Sequence, residues 1–344
     1  MVPVLEAVPN FSVGRDPALV ERLVRVASDR GADVLDASAD PDHNRAVLTF
    51  VGPPDVVEEA SVAVASVAVQ SVDLTRHRGA HPRIGALDVL PFVPLHGLGP
   101  ADAVASARRV GARLAREVGV PVYYYGDAAT PPGRRLSDLR AGGFETLARG
   151  FPKDRIPDEL PPDWPHPGAH PTAGATCVGA RPLLLAWNVE VDGLPEEALK
   201  EVATELRENN GSAPGLRVLV FRLESKGRMQ VSMNLEDVRN NKPFQVFQSL
   251  EARILRLGGR VVGTEVIGLV PDELVFGAAA DRLSLLDRDP TRVLSSRLGA
   301  HVAARVDREV EILLEAVRAS RQSAPPAILE AAGRLGRNLG GHVL

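Results

Sequence analysis

The residues best suited to acid–base chemistry lie in a short segment rich in histidine and arginine. Residues 76–88 read RHRGAHPRIGALD, so two of the eight histidines and three arginines fall within eight residues. Gly79 and Pro82 disfavour a regular helix, and the segment is therefore predicted to be a loop in front of an apolar strand. An imidazole can move a proton while neighbouring guanidiniums bind a carboxylate. The segment therefore favours a reaction on a carboxylate-bearing substrate.

The two histidines of this loop, His77 and His81, are four residues apart. On a helix that spacing can hold zinc, but the intervening glycine and the lack of an HExxH motif make a metal site the weaker interpretation, and no metal is predicted. A residue before proline is held in an extended conformation, so the His81 ring has a defined direction. An imidazole with its ordinary pKa of about 6.5 suits general acid–base work. A purely structural hydrogen bond is the alternative for His81 and is the favoured role of His77.

Two further polar groups of residues adjoin predicted strands. The segment from Asp36 to Arg45 includes Asp40 and Asn44. Its carboxylates could hold a cationic group and Arg45 could bind a carboxylate through two hydrogen bonds, with a solvated turn as the alternative. Asn10 follows the first predicted strand, where α/β proteins often place ligand sites.

Composition restricts the class of protein. The 344 residues are 44% hydrophobic and 24% charged, with a net charge of −4, which argues against bulk nucleic-acid binding. A single cysteine, Cys177, allows no intrachain disulfide. No apolar run approaches about 18 residues, so no membrane span is predicted and a cytoplasmic location is expected. Motifs of the types GxGxxG, GxxxxGK[ST] and GxSxG are absent from the sequence.

Apolar periodicity and turn residues divide the chain into three parts. Residues 1–175 follow the order β-α-β-β-α-β, extended by one helix and one strand and ended by a proline-rich segment at 150–172. Residues 176–285 repeat the order, and 286–344 form a predicted helical tail. The fold class is therefore α/β (α+β), with two ferredoxin-like subdomains. Strands are predicted at 4–8, 34–37, 46–51, 86–93, 120–125, 183–191, 216–223, 229–235 and 261–270, and helices at 17–30, 55–69, 100–118, 195–208 and 243–257.

One predicted strand of the second subdomain has an uncharged polar face. Gln230, Ser232 and Asn234 alternate with apolar residues along 229–235. Helices cover the apolar face of such a sheet, so the polar face is free to line a pocket. We expect this face to lie between the subdomains and to hydrogen-bond a heterocyclic ligand, and an ordinary solvated face is the alternative.

With these features in place, the chain resembles the glutamate formimidoyltransferase (formiminotransferase) family. The likeness runs in order over roughly residues 3–280, and the HPRIGALD and HPTAGAT segments are its most specific parts. The matching segments are VPNFSVGRD at 8–16, DHNRAVLTFVGPPDVVEEA at 42–60, TRHRGAHPRIGALDVLPFVPL at 75–95, HPTAGATCVGARPLLLAWNV at 170–189, MQVSMNLEDV at 229–238 and VVGTEVIGLVPDEL at 261–274.

The resemblance implies two α/β subdomains with a ligand tunnel between them. It also implies transfer of the formimino group of N-formimino-L-glutamate to N5 of tetrahydrofolate, which is the co-substrate. The catalytic histidine of the family motif matches His81. The implied folate-binding residues are His170, Thr172, Gly174 and Gly215, to which the polar strand face adds Gln230 and Asn234.

The implied donor site draws on the polar groups described above. Arg45 and Arg83 are expected to bind substrate carboxylates. An aspartate of the mammalian enzymes falls on Ser38, so Asp36 or Asp40 is expected to stabilise the cationic formimino group. Asn10 and Asn44 complete the expected substrate-binding set.

Two other functions stay open at the level of the sequence. The first is a formyltransferase that uses 5-formyltetrahydrofolate, and the second is a folate-binding protein without turnover. The 60 or so residues after the core are too few for the cyclodeaminase domain of the animal enzymes, so a monofunctional enzyme is expected. A homodimer is a further possible state, and neither nucleic acid nor a membrane is an expected partner.

Overall fold

Two separate β-sheets, each with its long helices on one face, make up the described part of the protein. The structure is a computed structural model that describes residues 3–208, 215–236, 242–270 and 272–283. Each sheet contains the β-α-β-β-α-β order of a ferredoxin-like unit. The predicted α/β fold of two such units is therefore confirmed. The predicted tail at 286–344 lies outside the described residues.

The first sheet has seven strands and extends the ferredoxin-like unit at one edge. Its strands run in the order β3-β4-β2-β5-β7-β6, with β1 pairing both β4 and β5 beside β2. The pairs β5–β7 and β7–β6 are parallel, and the other pairs are antiparallel. The strands are β1 Leu5–Ala7, β2 Asn10–Phe11, β3 Asp33–Asp40, β4 Arg45–Gly52, β5 Leu87–Pro94, β6 Val122–Gly126 and β7 Thr176–Ala180.

The helices of the first part begin where local signals place them, with one exception. The Asp16 side chain accepts a hydrogen bond from Leu19 N and so caps α1. Asp55 and Glu58 have the sequence pattern of a capping box, but α2 begins at Pro54 without a side-chain cap, and Glu58 pairs with a neighbouring helix instead. The helices are α1 Pro17–Asp29, α2 Pro54–Ser71, α3 Pro100–Arg113, α4 Leu136–Leu139 and α5 Gly143–Arg149.

The core of the first unit lies between its sheet and the helices α1, α2 and α3. Alternate residues of most strands enter this core, and the residues between them face the opposite side of the sheet, where α4 and α5 pack on β6 and β7. Burying each large apolar side chain stabilises the fold by roughly 1.5–3 kcal/mol. Large core side chains with no exposed surface include Leu5, Phe11, Leu23, Leu48, Phe50, Leu74, Leu87, Leu90, Phe92 and Tyr124.

The second sheet has four antiparallel strands in the order β11-β8-β10-β9, the strand order of a complete ferredoxin-like unit. Helices α6 and α7 pack on the face that carries its apolar core. Gln230 and Asn188 point to the other face, yet both are almost fully buried, at 1% and 6% exposure. The elements are β8 Leu185–Asp192, α6 Glu196–Glu208, β9 Leu216–Leu223, β10 Arg228–Leu235, α7 Pro243–Arg256, β11 Arg260–Ile267 and α8 Asp272–Leu283.

The segment between the two sheets contains elements that the apolar pattern did not indicate. The short helices α4 and α5 and the strand β7 were not predicted. Strand β7, at Thr176–Ala180, pairs within the first sheet, so the change from one sheet to the other falls at 181–184. The predicted division after residue 175 precedes this strand.

The face of the first sheet opposite α1, α2 and α3 lies against the helix-free face of the second sheet. The hairpin between β9 and β10 reaches the turn before β4, where Ser225 N donates to Asp42 Oδ1 at 3.2 Å. Farther in, a ring nitrogen of His43 lies 2.8 Å from Gln230 Oε1. The polar face of the second sheet therefore lies against the first unit, as the alternation along β10 predicts.

Gly111 in α3 is expected to be intolerant of alanine. An added Cβ would lie 2.5 Å from the hydroxyl of the buried Tyr124. Alanine normally favours a helix over glycine by about 1 kcal/mol, but this overlap should reverse the sign and cost about 1–3 kcal/mol. Urea unfolding of Gly111→Ala measures the change. The exposed helix position Ala101→Gly is the control and should lose only about 1 kcal/mol; a stabilised Gly111→Ala would contradict this packing.

Candidate active site

The histidine loop joins α2 to β5 and is held in place by His77. The His77 Nε2 atom lies 2.9 Å from Asn44 O, and its Nδ1 accepts from Arg83 Nε at 3.1 Å. A carbonyl can only accept, so the proton sits on Nε2 and both ring nitrogens are occupied. Burial lowers the pKa of His77, which keeps the ring neutral. His77 is therefore a structural residue of the loop.

The turn between β3 and β4 supports the loop from the other side. Asp40 Oδ1 accepts from the backbone N–H groups of Asp42 and His43, both at 2.8 Å. Asn44 adopts a left-handed conformation with φ of 48°, its Oδ1 accepts from Gly14 N at 2.9 Å and its Nδ2 donates to the loop at Arg78 O. Asp40 and Asn44 thus shape the turn.

His81 lies half-buried at the front of the loop, between the two sheets. Its Nδ1 is 2.8 Å from Pro82 O, and because that carbonyl can only accept, Nδ1 carries the proton. The lone pair of the neutral ring is therefore on Nε2. The ring stacks on Phe221 of β9, with ring centroids 5.8 Å apart and planes 27° apart. The second sheet thus fixes the plane of the His81 ring.

His43 connects this ring pair to the polar face of the second sheet. It is 7% exposed, and its ring centroid lies 4.8 Å from that of Phe221 and 6.0 Å from that of His81, both edge-on. Its Nε2 contacts Gln230, whereas its Nδ1 is buried and has no hydrogen-bond partner among the described residues. Sequence reasoning did not select His43 or Phe221. Phe221 shares its face of β9 with Arg217, Leu219 and Leu223, so the pattern along this strand gave no signal for it.

A buried group of charged residues lies at the base of the loop. Asp88 of β5 is fully buried, and its Oδ2 accepts from Arg45 Nη1 at 2.8 Å and also from Arg140 Nη2. Its Oδ1 accepts from the loop backbone at Ile84 N at 2.8 Å. Arg45 also donates to Asn10 Oδ1 at 2.9 Å. The group therefore connects strands β2, β4 and β5, the loop, and the end of α4.

The pKa values of this group follow from burial and mutual charge. Burial raises the pKa of Asp88, but the two guanidiniums of Arg140 and Arg45 outweigh that effect and hold it at about 2. Burial lowers the pKa of Arg45 to about 10, opposed by Asp88 and reinforced by Arg140. Burial also lowers the pKa of His81 well below its ordinary value, and the charges of Arg45 and Arg140 lower it further. His81 is therefore a neutral base at pH 7.

Two predicted substrate-binding residues, Arg83 and Asp36, are less directly placed to bind a substrate. Arg83 donates through both terminal nitrogens to Glu145 of α5, at 3.0 and 2.8 Å, so binding a substrate carboxylate requires it to leave this pair. Asp36 is half-buried on β3 and pairs in register with Thr49 of β4. It shares its face of the strand with Ser38 and Asp40. This face is the one opposite the core, where Arg45 also lies.

The predicted folate segment forms a tight turn behind the histidine loop. His170 N donates to Gly174 O and Gly174 N donates to His170 O, both at 2.9 Å. Thr172 O accepts from Leu74 N at 2.8 Å, which ties the turn to the start of the loop. Gly174 has φ of 73°, and a Cβ there would lie 1.9 Å from Ile84 O, so only glycine fits.

Two other predicted folate-binding residues lie at the far end of the second sheet. Gln230 contacts the His43 ring, but Asn234 is exposed and is four residues farther along β10, or about 13 Å at 3.3 Å per residue. Gly215, just before β9, accepts from Glu236 N at this same end. The structure therefore brings Gln230 next to the histidines and places Asn234 and Gly215 away from them.

The described residues contain no group of three histidine, cysteine or carboxylate side chains placed to hold a metal ion. Cys177 is fully buried in β7, and burial raises the pKa of its thiol. Among the helices that the structure describes, none is long and apolar enough to cross a membrane.

Two family models together match nearly the whole of the described chain. The model of the N-terminal subdomain of the formiminotransferase domain matches residues 4–181. The model of the formiminotransferase domain matches residues 186–300. The gap between them coincides with the change of sheet at 181–184.

Curated relatives match over most of the chain. A protein named glutamate formimidoyltransferase from Streptococcus pyogenes serotype M1 is 36% identical over 84% of this chain and 96% of its own length. A protein of the same name from Thermoplasma acidophilum is 36% identical over 86% of this chain and 97% of its own length. A formimidoyltransferase-cyclodeaminase from Sus scrofa is 38% identical over 87% of this chain, which covers 57% of that protein.

Gly79 is expected to be required for the contact between the loop and the turn. A Cβ at this position would lie 2.2 Å from His43 O and 2.9 Å from Asn44 Cβ. Gly79→Ala should therefore push the loop away, cost about 1–3 kcal/mol of stability and weaken the nuclear Overhauser contact between the His43 and His81 rings. The exposed neighbour Ala80→Gly is the control and should stay within about 1 kcal/mol of the native stability. An unchanged ring contact in Gly79→Ala would contradict the proposed support.

His81 is expected to titrate below the ordinary histidine value of about 6.5. Because burial and nearby guanidiniums lower its pKa in the folded state, the unfolded chain binds a proton there at a pH where the folded protein does not. The contribution of His81 to the free energy of unfolding should therefore decrease as the pH falls below about 6.5 toward the folded pKa. An NMR titration of the ring protons measures the pKa, and His81→Asn identifies the resonance. A folded pKa at or above 6.5 would overturn the assignment.

Proposed function

Because the chain belongs to the formiminotransferase family, we propose that it transfers the formimino group of N-formimino-L-glutamate to N5 of tetrahydrofolate. The products are 5-formiminotetrahydrofolate and L-glutamate, as in histidine degradation and one-carbon metabolism. The bacterial and archaeal relatives named glutamate formimidoyltransferase support this activity. The observation that carries it is the neutral His81 ring, with its Nε2 lone pair at the junction of the two sheets.

The reaction needs one group that first accepts and then donates a proton. N5 of tetrahydrofolate attacks the formimino carbon, and a tetrahedral intermediate forms. His81 Nε2 takes the proton from N5 and gives it to the departing glutamate nitrogen, whose bond to the carbon then breaks. The hydrogen bond from His81 Nδ1 to Pro82 O holds the ring in the tautomer that this role requires. The stack on Phe221 holds its plane.

The donor is proposed to bind on the face of the first sheet opposite α1, α2 and α3. The formimino group is amidine-like and cationic, so a carboxylate at Asp36 or Asp40 stabilises it. Arg45, with Asn10 and Asn44 beside it, forms the floor of the site. Arg83 is a second carboxylate-binding group only if it exchanges its partner Glu145 for substrate.

The tetrahydrofolate co-substrate is proposed to lie between the two sheets. His170, Thr172 and Gly174 present a rigid turn on one side, with Trp164 6.4 Å from the His170 ring. Gln230 offers an amide on the other side, and Asn234 and Gly215 extend that edge along the sheet. The cytoplasmic location and the homodimer stay predictions.

His81→Ala is expected to lower turnover by about 10²–10⁴-fold, because it removes the group that takes the proton from N5 and delivers it to the leaving nitrogen. The measurement is the formation of 5-formiminotetrahydrofolate from formiminoglutamate at saturating tetrahydrofolate. His96→Ala, an exposed histidine on another loop, is the matched control and should turn over normally.

The same assay separates the competing functions. Product from 5-formyltetrahydrofolate but not from formiminoglutamate would favour a formyltransferase, and tetrahydrofolate binding without product would favour a folate-binding protein. Near-normal turnover of His81→Ala with both substrates saturating would rule out the proposed proton transfer.

A further inference from the structure

The buried charges at the base of the histidine loop do not balance. Arg45 and Arg140 both pair with Asp88, and the three side chains are only 12%, 13% and 0% exposed. Among the residues that the structure describes, Asp88 is the one carboxylate within ion-pair distance of either arginine. The group therefore carries one excess positive charge. Two other guanidiniums of this region do have a carboxylate of their own, in the pairs Arg83–Glu145 and Arg134–Asp158.

The unused hydrogen-bonding capacity of the group lies on Arg140. Arg45 donates to Asp88 through Nη1 and to Asn10 through Nε and Nη2. Arg140 donates to Asp88 through Nη2, but its Nε is buried and has no partner among the described residues. A buried donor without a partner and an unbalanced buried charge both destabilise the free protein. An anion that binds Arg140 balances the charge.

We propose that Arg140, acting with Arg45, binds the α-carboxylate of the amino-acid donor and so holds the bond to be broken beside His81. This inference rests on the proposed function. It assigns to Arg140, which the sequence analysis did not select, the carboxylate-binding role that was expected of Arg83.

The α-carboxylate fits this position because of where it sits in the donor. The nitrogen that leaves with glutamate is bonded to the carbon that carries the α-carboxylate, so nitrogen and carboxyl carbon are about 2.5 Å apart. His81 must reach that nitrogen to protonate it. The positive charges of Arg45 and Arg140 are close enough to act on the His81 ring. An anion bound by these arginines therefore lies within the same small region as the leaving nitrogen.

The other carboxylates of the two substrates fit less well. The γ-carboxylate of the donor is two methylene groups farther from the leaving nitrogen. The carboxylates of tetrahydrofolate belong to its glutamate tail, at the opposite end of the molecule from the pterin ring that carries N5. Only the α-carboxylate is obliged to be next to the atoms that react.

The test combines a substitution of Arg140 with a change to the α-carboxylate of the donor, in the manner of a double-mutant cycle. Arg140→Gln should raise the KM for N-formimino-L-glutamate by about 10- to 100-fold, the range for a charged hydrogen bond of about 1.5–3 kcal/mol. The α-amide of the donor should be a poor substrate for the native enzyme, and Arg140→Gln should impair it by less than threefold further. The γ-amide should be affected by the substitution as strongly as the parent donor.

Folding and pH provide readouts that separate binding from structure. When Arg140 is replaced by glutamine, Asp88 still accepts hydrogen bonds from Arg45 and from Ile84 N. The variant without bound substrate should therefore unfold at the same temperature as the native protein or at a higher one. The charged or titratable groups facing His81 are Arg45, Arg140, Asp88 and His43. Removing one positive charge should raise the pKa of His81 and move the acidic limb of kcat/KM to higher pH.

Arg135→Gln is the matched control, because Arg135 is exposed and pairs with Asp138 on the surface. Arg135→Gln should leave the KM for N-formimino-L-glutamate and the KM for tetrahydrofolate unchanged. If the native enzyme is active and Arg140→Gln impairs all three donors equally, this inference alone is overturned. The same holds if only the KM for tetrahydrofolate rises, because Arg140 would then bind a carboxylate of folate. An inactive native enzyme would instead overturn the proposed function.

Discussion

The arrangement of this site depends on the buried carboxylate of Asp88. A fully buried carboxylate is costly unless charged or backbone donors surround it, and Asp88 has two guanidiniums and the Ile84 N–H. These donors come from β4, from the end of α4 and from the histidine loop. One residue of β5 therefore fixes where the loop ends, where Arg45 lies and where the connection between α4 and α5 begins. The position of His81 follows from these anchors.

The second sheet completes the site by covering it. Phe221 and Gln230 lie on the face of that sheet that carries no helix, and they contact His81 and His43. Such a face would be solvated in an isolated ferredoxin-like unit, but here Gln230, Asn188 and Phe221 are at most 9% exposed. The lower dielectric strengthens the effect of the arginine charges on the His81 pKa. The packing of two similar units thus supports both the geometry and the basicity of the ring.

The parts of this structure that could be predicted from sequence are those set by local signals. Asp16 before Pro17 marks a helix start, and alternation along β10 identifies the face that Gln230 shares. Strand β7 lacked such a signal, because its residues are small and its pairing with β5 joins positions 88 residues apart, as at Val89 and Cys177. The role of Asp88 was missed although a signal existed. A lone carboxylate inside the apolar run ALDVL indicates a buried charge that needs cationic partners.

The choice of partners for Asp88 could not be read from sequence, and it determines how the arginines are used. Arg83 is two residues from His81 in the chain, which makes it the obvious candidate for a carboxylate ligand, but Glu145 and His77 occupy it. Arg140 is far away in sequence and close in space, and it retains an unpaired buried donor. One Asp88 shared by two arginines neutralises enough charge for the group to fold and leaves enough to attract an anion. A second carboxylate at this point would stabilise the free protein and abolish that attraction.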